Sequence, residues 1–303
     1  MSKLCLGTVQ FGMQYGINNY TGQPSEEECF EMLDVAIENG IDTIDTARAY
    51  GTSEIVLGNY LEYRKYGNKV NIISKLRPNV LMPNTNDVYS LIRKELEDSL
   101  KRLHISKLKG YLLHTPEYVY NDKVIQALYQ LKKEGLLQNI GVSIYNMEDG
   151  FEAIVKKMDY VQLPYSIFDQ RGDKSGFISD AKKAGLTIFT RSVFLQGLCM
   201  MPLDNVPTYL EHAKPYLKYL EELAKKQKIH KAELLIRFVK SLKEIDYLVF
   251  GVDNISQLKE NINIFNNNAS MDSLLLKTVQ EYFSDMENSI ILPSLWSNGK
   301  KAE

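Results

Sequence analysis

Residues 24–45, PSEEECFEMLDVAIENGIDTID, contain the sequence signals of one complete helix followed by one strand. Pro24 and Ser25 followed by three glutamates are typical of a helix N-terminus. The helix is predicted to end near Asn39-Gly40, because glycine is common in the turn that ends a helix before a strand. The short run Thr43–Asp45 then predicts a strand. This stretch therefore predicts one unit of a fold in which helices and strands alternate.

The same alternation continues along the whole chain. Further helices are predicted to begin at Asn86-Asp87 and at Met147-Glu148-Asp149, and to end at Gly135 and Gly185. Short β-branched runs between such stretches are typical of a parallel sheet covered by helices. The eight candidate strands are Leu4–Gly7, Thr43–Asp45, Val70–Lys75, Gly110–His114, Asn139–Ser143, Tyr160–Leu163, Thr187–Ser192 and Tyr247–Phe250.

Eight such units favour an α/β fold, a single (β/α)8 TIM barrel with a closed, parallel, eight-stranded sheet. The alternative is an open doubly wound sheet, but no G-x-G-x-x-G follows a candidate strand. Barrels commonly exceed about 250 residues as one domain, so residues 1–303 are predicted to form a single domain. A helical stretch from about Pro207 to Lys226 predicts an insertion at about 203–227, after the seventh strand.

The composition is that of a folded globular protein, with 303 residues of which 44% are hydrophobic and 24% charged. A formal net charge of −2 argues against nucleic acid or an anionic membrane as a partner and favours a small molecule. No apolar run approaches the roughly 18 residues of a membrane span, and the N-terminus lacks a signal segment, so a cytoplasmic protein is expected. Three widely spaced cysteines and four histidines show no metal-binding spacing, so we expect no metal. The oligomeric state is left open.

Polar residues lie at the predicted carboxyl ends of the strands. In a barrel these ends meet at one mouth, where catalytic groups lie. The candidates, in strand order, are Thr8, Gln10, Asp45, Lys75, His114, Ser143, Gln162, Arg191, Ser192 and residues 251–254.

A proton-transfer set is predicted among these residues and Tyr50. The Lys75 ammonium ends an apolar strand, where desolvation requires an anionic partner, and Asp45 is the candidate. This pair beside Tyr50 is expected to lower the pKa of the phenol from its usual value of about 10. Tyr50 is then a candidate proton donor, and His114 a candidate hydrogen-bond donor to a carbonyl oxygen. Taken singly, each of the four also fits a structural role, as a helix cap, an ion pair, a packed tyrosine or a core histidine.

In this order the residues resemble the aldo-keto reductase family. The segments Leu6–Gly12 and Gly40–Gly58 are similar to family motifs, the second almost throughout. The further matching segments are Ile73–Lys75, Leu112–His114, Ile140–Ser143, Val161–Gln162, Gln196–Leu198 and Gly251–Asn261. The resemblance implies a (β/α)8 barrel and an oxidoreductase that reduces an aldehyde or ketone with a nicotinamide coenzyme. Its implied catalytic residues are Asp45, Tyr50, Lys75 and His114, with Tyr50 as the general acid.

The resemblance also implies a coenzyme extended across the mouth. Ser143 and Gln162 would hold the nicotinamide carboxamide, Ser192 and Gly197 would line the pyrophosphate, and the loop Gly251–Asn261 would receive the adenosine. The N-terminus of the helix in that loop favours a phosphate. The full set of implied coenzyme contacts is Gly7, Thr8, Ser143, Gln162, Arg191, Ser192, Gly197, Gly251, Asp253, Gln257, Glu260 and Asn261.

Three positions depart from the family pattern. Ile144 replaces a common asparagine, and Tyr145 or Asn146 is the candidate substitute. Arg191 stands where many members stack an aromatic ring on the nicotinamide; its guanidinium could stack there or pair with an anionic group of coenzyme or substrate. Asp253 stands where a basic residue often pairs with the 2′-phosphate of NADPH.

The family pattern favours NADPH, and Lys259 could restore the missing positive charge near Asp253. The Asp253 carboxylate instead favours NADH, because it repels a phosphate and can accept a ribose hydroxyl. NADPH is therefore expected, with NADH as the alternative.

The polar mouth suits a hydroxylated or anionic carbonyl substrate. The segments Gly12–Gly16 and Arg191–Leu198 resemble a bacterial branch of the family linked with cell-surface or modified sugars. The predicted substrate contacts are Gln10, Arg48 and Tyr145, and further polar candidates at the mouth are Gln14, Gln170 and Arg171. Two other functions stay open: a nicotinamide-binding sensor or regulatory subunit with little turnover, and a barrel lyase or aldolase in which Lys75 forms a Schiff base.

Overall fold

The computed structural model describes residues 2–67, 69–82, 85–267 and 270–298. The strands form one closed barrel in chain order, and each neighbouring pair is parallel. They are β1 (Lys3–Gly7), β2 (Thr43–Asp45), β3 (Asn71–Leu76), β4 (Leu108–Leu113), β5 (Leu137–Ser143), β6 (Tyr160–Pro164), β7 (Thr187–Arg191) and β8 (Tyr247–Phe250). The predicted (β/α)8 barrel is confirmed. Met1 and residues 299–303, the ends of the predicted domain 1–303, lie outside the described residues.

Helices surround this barrel. They are α1 (Val9–Gly12), α2 (Glu26–Glu38), α3 (Ser53–Arg64), α4 (Val88–Arg102), α5 (Asp122–Lys133), α6 (Met147–Val155), α7 (Arg171–Lys174), α8 (Phe177–Lys183), α9 (Lys214–Gln227), α10 (Lys231–Ser241), α11 (Ile255–Asn266), α12 (Ser273–Tyr282) and α13 (Asn288–Ile291). Short 3-10 helices lie at Pro116–Tyr120, Leu195–Met200, Leu203–Asn205, Thr208–Ala213 and Pro293–Asn298. Within the described residues, none of these helices has the length and apolar character needed to cross a membrane.

Local sequence explains where the helices begin. Ser25 caps α2 by accepting a hydrogen bond from the backbone N–H of Glu28, while the Glu28 carboxylate accepts from the N–H of Ser25. This reciprocal pair satisfies two N–H groups that a helix start leaves free. Asp87 caps α4 in the same way by accepting from the backbone N–H of Ser90 at 2.9 Å.

Several strands differ from their predicted bounds by one or two residues. β4 begins at Leu108 rather than Gly110 because Leu108 already pairs with Leu137 of β5. β3 ends at Leu76 rather than Lys75 because Leu76 pairs with Leu113. Lys109 interrupts the apolar run at the start of β4, and Lys75 precedes Leu76 at the end of β3, so a lysine concealed each added pair in the sequence.

The segment after β7 consists of 3-10 helices at Leu195–Met200, Leu203–Asn205 and Thr208–Ala213, followed by α9. The predicted helical stretch from about Pro207 to Lys226 is thus a 3-10 helix at Thr208–Ala213 followed by an α-helix from Lys214. Pro215 lies in the first turn of α9, where its missing N–H costs no helical hydrogen bond.

Apolar side chains fill the barrel interior away from the mouth. This inner cluster consists of Cys5, Ile73, Leu112, Tyr160, Phe189 and Val249. The Phe189 ring stacks on Tyr247 with 4.5 Å between centroids, which closes that end of the barrel. The polar ends of the strands are consequently grouped at the opposite, open end.

Candidate active site

A cleft of about 700 Å³ opens at the carboxyl ends of the strands. We call it the mouth cleft. Sixteen of the predicted site residues line this cleft. They are Gly7, Thr8, Gln10, Asp45, Tyr50, His114, Ser143, Tyr145, Arg191, Ser192, Gly197, Gly251, Asp253, Gln257, Glu260 and Asn261. The structure therefore brings residues from six of the strands and their loops to one volume.

A buried ion pair lies beneath the cleft. The Lys75 Nζ atom donates to both carboxylate oxygens of Asp45, at 2.8 and 2.7 Å, and to the backbone oxygen of Thr46 at 3.0 Å. Lys75 is 0% exposed and Asp45 3% exposed. Lys75 Nζ also lies 3.3 Å from the hydroxyl oxygen of Tyr50 and donates to it. The predicted Lys75–Asp45–Tyr50 arrangement is thus present in the structure.

The loop that carries Tyr50 is positioned by a close approach to α1. A Cβ atom at Gly12 would lie 1.8 Å from the Tyr50 carbonyl oxygen, so only glycine fits there. The backbone N–H of Thr52 also donates to the Gly12 oxygen at 3.2 Å. The loop after β2 is therefore packed against α1 and holds the phenol over Lys75.

The pKa of Tyr50 is raised, and the prediction that it is lowered is wrong. Burial of the phenol is the largest cause, and it exceeds the opposing attraction of Lys75 for a phenolate. Asp45 adds to the increase, because its carboxylate largely offsets the charge of Lys75. Tyr50 is therefore a protonated phenol at neutral pH.

His114 faces Tyr50 across the cleft. The two rings are perpendicular, with 5.8 Å between centroids. Burial, Lys75 and Arg191 lower the pKa of His114 to about 3, so the imidazole is neutral. Its buried Nδ1 atom has no hydrogen-bond partner among the described residues. His114 therefore lines the cleft as a neutral ring with one unsatisfied nitrogen.

Gln162 connects the ion pair to Ser143. Its Nε2 atom donates to Asp45 Oδ1 at 2.8 Å, and its Oε1 atom accepts from the Ser143 hydroxyl at 3.2 Å. Gln162 is fully buried behind the cleft wall, whereas Ser143 lines the cleft. Both amide atoms of Gln162 therefore have protein partners in this structure.

Arg191 reaches from the end of β7 across β6 to the end of β5. Its Nη2 atom donates to the backbone oxygen of Ile144 at 3.1 Å, and Nη1 donates to the Ser192 hydroxyl at 3.3 Å. The guanidinium carbon lies 4.3 Å from the centroid of the Tyr145 ring. Among the described residues, no carboxylate forms a salt bridge with it. Arg191 is thus a half-buried cation stacked on an aromatic ring.

Two loops meet over the cleft. The backbone N–H of Ile17 in the β1 loop donates to the Gln196 oxygen in the β7 loop at 3.0 Å. Ser192, Leu195 and Gln196 adopt left-handed backbone angles, with φ of 67°, 48° and 53°. Such angles are uncommon for residues other than glycine and often mark functional loops.

Sequence reasoning missed the lining residues that these loops contribute. They are Tyr15, Gly16, Asn18, Asn19, Phe194, Gln196 and Met200. Burial raises the pKa of Tyr15 to about 12, and this phenol hydrogen-bonds Gln196. The motif segments Gly12–Gly16 and Gln196–Leu198 were the available signal, but they did not indicate which side chains enter the cleft.

The far end of the cleft contains carboxylates. Burial raises the pKa of Asp253, and Gln10 and Gln257 donate hydrogen bonds to its carboxylate. The backbone N–H of Asp253 donates to Gln257 Oε1 at 2.8 Å. Glu260 pairs with His230, with 3.1 Å between Oε1 and Nδ1. Lys259 is exposed and does not line the cleft.

Gln10 belongs to this end of the cleft. A Cβ atom at Gly251 would lie 2.5 Å from Gln10 Oε1, and this buried oxygen has no hydrogen-bond partner among the described residues. The predicted substrate residue thus lies among the predicted coenzyme contacts.

Other polar candidates lie outside the cleft. Arg48 is partly exposed and does not line it, and Gln14 is exposed. Gln170 donates to the backbone oxygen of Ile167 at 2.9 Å, and Arg171 pairs with Asp169 at 2.7 Å. Gln170 and Arg171 therefore make structural contacts, although as polar residues after β6 they were candidates for the mouth. No group of three potential metal ligands occurs among the residues that the structure describes.

A model of the aldo/keto reductase family matches residues 3–275. The chain belongs to the aldo/keto reductase family. It is 25% identical over 287 residues to the uncharacterized oxidoreductase YqkF of Bacillus subtilis, covering 88% of this chain and 92% of that protein. It is 27% identical over 153 residues to D-arabinose 1-dehydrogenase of Saccharomyces cerevisiae, covering 49% of this chain and 44% of that protein.

A solved structure with the same fold is that of the aldo-keto reductase AKR11C1 from Bacillus halodurans in its holo form. The two share 21% identity and a TM-score of 0.74, with 92% of this chain and 91% of that chain covered. The family assignment identifies the protein as an NAD(P)H-dependent oxidoreductase that acts on small-molecule carbonyl compounds. The predicted enzyme class is confirmed.

Proposed function

We propose that the mouth cleft is the active site and that Tyr50 protonates the carbonyl oxygen of the substrate. The observation that carries this proposal is the contact of Lys75 Nζ with both Asp45 oxygens and with the Tyr50 hydroxyl at 3.3 Å. Because Lys75 donates to the phenol oxygen, the phenol keeps its own proton for a group in the cleft. A substrate carbonyl group that accepts this proton would lie between Tyr50 and His114.

When bound, the reduced nicotinamide supplies a hydride to the carbonyl carbon. The Tyr50 phenol transfers its proton to the carbonyl oxygen as negative charge develops there, which gives the alcohol. Lys75 stabilises the phenolate left on Tyr50, and Asp45 fixes Lys75 in place. The neutral His114 ring donates one N–H to the same oxygen and orients it. Tyr50 then regains a proton from water.

The residues present fit a dinucleotide. The buried Gln10 Oε1 and His114 Nδ1 atoms require hydrogen-bond partners. Gly7 and Gly251, at the end of β1 and just after β8, line the cleft with backbone, and the absent side chain at Gly251 makes room for Gln10. We propose the coenzyme contacts named above, with Ser143 holding the carboxamide and with Ser192 and the loop after it beside the pyrophosphate. Residues 1–303 are proposed to act as one domain.

The choice between NADPH and NADH depends on Asp253. NADPH is the expectation from the sequence. The half-buried Asp253 carboxylate, with Glu260 nearby on the cleft wall and Lys259 outside it, opposes a 2′-phosphate. We therefore propose that NADH is accepted alongside NADPH.

A sugar or sugar derivative is the proposed substrate class. The cleft wall near Tyr50 carries hydroxyl, imidazole and guanidinium groups from Tyr15, His114, Tyr145 and Arg191, which suit a hydroxylated carbonyl compound. The partial similarity to D-arabinose 1-dehydrogenase supports the same class. Tyr145 is the proposed substrate contact, since Arg48 does not line the cleft.

The alternative functions have less support. Lys75 is fully buried, paired with Asp45, and its pKa is raised, whereas a Schiff-base lysine requires a neutral amine exposed to substrate. A nicotinamide-binding sensor with little turnover would not require the complete set of Asp45, Tyr50, Lys75 and His114, which this chain retains.

The test is a titration of the purified protein with NADPH and NADH, each followed by a reactive sugar aldehyde. Saturable binding with coenzyme oxidation is the expected result. Binding without oxidation of any carbonyl compound would favour the sensor, and binding of neither coenzyme would exclude the proposed function.

A further inference from the structure

The net charge of the inner mouth cleft is set by Arg191. The charges of Lys75 and Asp45 cancel within their ion pair, and His114 is neutral because its pKa is about 3. Among the described residues that line the cleft, Arg191 is the one lysine or arginine. The inner end of the cleft therefore carries one uncompensated positive charge.

This charge is held close to the reacting groups. The Arg191 guanidinium contacts the Ile144 oxygen at 3.1 Å, and Ile144 follows Ser143, whose hydroxyl is linked through Gln162 to Asp45. Arg191 also contributes to the electrostatics of both Tyr50 and His114. Hydride transfer requires the nicotinamide ring to lie within van der Waals contact of a carbonyl carbon at Tyr50. Arg191 is thus near that ring in any productive arrangement.

We propose that Arg191 makes the site discriminate between the two redox states of the coenzyme, so that the reduced form binds more tightly than the oxidised form. The inference rests on the proposed nicotinamide site. The oxidised nicotinamide ring carries a positive charge and the reduced ring is neutral, so only the oxidised form is repelled. The phosphates are the same in both forms, and their attraction to Arg191 cancels in the comparison.

Contacts with the protein hold the Arg191 guanidinium in place despite this repulsion. The Ile144 oxygen and the Ser192 hydroxyl each accept one of its hydrogen bonds, and the Tyr145 ring covers one face. A free arginine side chain would turn away from a cationic ring. Arg191 is held at the cleft wall and keeps its charge there.

The consequence is easier release of the oxidised coenzyme after each turnover. Weaker binding of the oxidised form limits product inhibition, which suits an enzyme that works as a reductase. By linkage, hydride transfer on the protein is less favourable by the same factor, while the equilibrium of the reaction in solution is unchanged.

The experiment compares dissociation constants of the oxidised and reduced coenzyme by calorimetry for the wild-type protein, Arg191→Lys and Arg191→Gln. Two unit charges within about 10 Å at an effective dielectric constant of about 20 change a binding constant by roughly tenfold. We expect the oxidised-to-reduced ratio of dissociation constants to be at least about tenfold in the wild type and in Arg191→Lys, and to fall by about tenfold in Arg191→Gln. Arg171→Gln, which alters an arginine paired with Asp169 outside the cleft, should leave the ratio unchanged.

A second measurement uses the wild-type protein alone, so it does not depend on the folding of a variant. Added salt should lower the oxidised-to-reduced ratio of dissociation constants, because screening weakens the repulsion between Arg191 and the oxidised nicotinamide ring. An equal loss of affinity for both forms in Arg191→Gln would assign Arg191 to the pyrophosphate and overturn the proposal. The same ratio in Arg191→Gln and wild type would also overturn it. Failure of the wild type to bind either form would instead overturn the proposed function.

Discussion

The Gln162 amide donates to Asp45 Oδ1 at 2.8 Å from the opposite wall of the barrel, since β6 and β2 are separated by three strands on either side. Its other amide atom accepts from Ser143, which lines the cleft. A residue expected to bind the carboxamide is thus also bonded to the carboxylate that holds Lys75. The coenzyme end and the proton-donor end of the site share this one side chain.

Replacing Gln162 by Met should therefore loosen Asp45 as well as Ser143. A hydrogen bond to a charged group contributes about 1.5–3 kcal/mol, so we expect the free energy of unfolding to fall by that amount in urea denaturation. Ser143→Ala is the matched control, because it removes only the hydroxyl contact and leaves the Asp45 bond intact. A smaller loss in Gln162→Met than in Ser143→Ala would show that the Asp45 contact contributes little.

Losing both partners of the ion pair beneath Tyr50 should destabilise the protein by less than the sum of the two single losses. Lys75→Met leaves the Asp45 carboxylate buried without its cation, and breaking such a pair costs about 3–5 kcal/mol. The double variant Lys75→Met with Asp45→Leu removes both charges and should be less destabilised than the sum of the single variants. Thermal and urea unfolding of the four proteins form a double-mutant cycle. Additive losses would contradict strong coupling.

Tyr50→Phe should lower reductive turnover by at least about 10²-fold, because it removes the proposed general acid. Coenzyme affinity should change little, since the ring and its packing remain. Stopped-flow turnover and coenzyme titration measure the two effects separately, and Tyr15→Phe controls for loss of another phenol that lines the cleft. Equal turnover in Tyr50→Phe and wild type would remove Tyr50 from the mechanism.

The repeated helix and strand signals made the barrel predictable. Each unit is encoded locally, as Ser25 with Glu28 illustrates, and eight parallel units close in only one simple order. The residues at strand ends were predictable for the same reason, because the C-terminal ends of all strands reach one mouth.

The contacts between distant segments were not predictable. The bond from Gln162 to Asp45 crosses the barrel, and Tyr15 enters the cleft because the Ile17 N–H reaches the Gln196 oxygen. The direction of the Tyr50 pKa shift was predicted wrongly because it depends on how deeply the phenol is buried. The sequence predicted that Lys75 and Asp45 lie beside Tyr50, but it did not predict how deeply the phenol is buried.

His114 should make the protein less stable in acid. Its pKa is about 3 in the folded state, below the value of about 6.5 expected in the unfolded chain. This lowered pKa contributes stability that is fully present above pH ~6.5 and is lost as the pH falls toward 3. Urea unfolding measures how much the free energy of unfolding falls between pH 7 and pH 4.5. This fall should be smaller for His114→Gln than for wild type. His212→Gln, at an exposed site, is the control. Equal losses in His114→Gln and wild type would mean that His114 is not buried as a neutral ring.

The charge of Asp253 should weaken the binding of NADPH relative to that of NADH. Asp253→Asn keeps the shape and hydrogen-bonding capacity of the side chain toward Gln10 and Gln257 but removes the negative charge. Relief of repulsion should lower the dissociation constant of NADPH by roughly tenfold, while that of NADH, which lacks the 2′-phosphate, stays nearly constant. Calorimetric titrations with both coenzymes measure the ratio, and Glu148→Gln, at an exposed site outside the cleft, controls for the change in net charge. If the ratio is the same in Asp253→Asn and wild type, the Asp253 carboxylate does not face the 2′ position of the coenzyme, and residues of α11 must recognise the adenosine end instead.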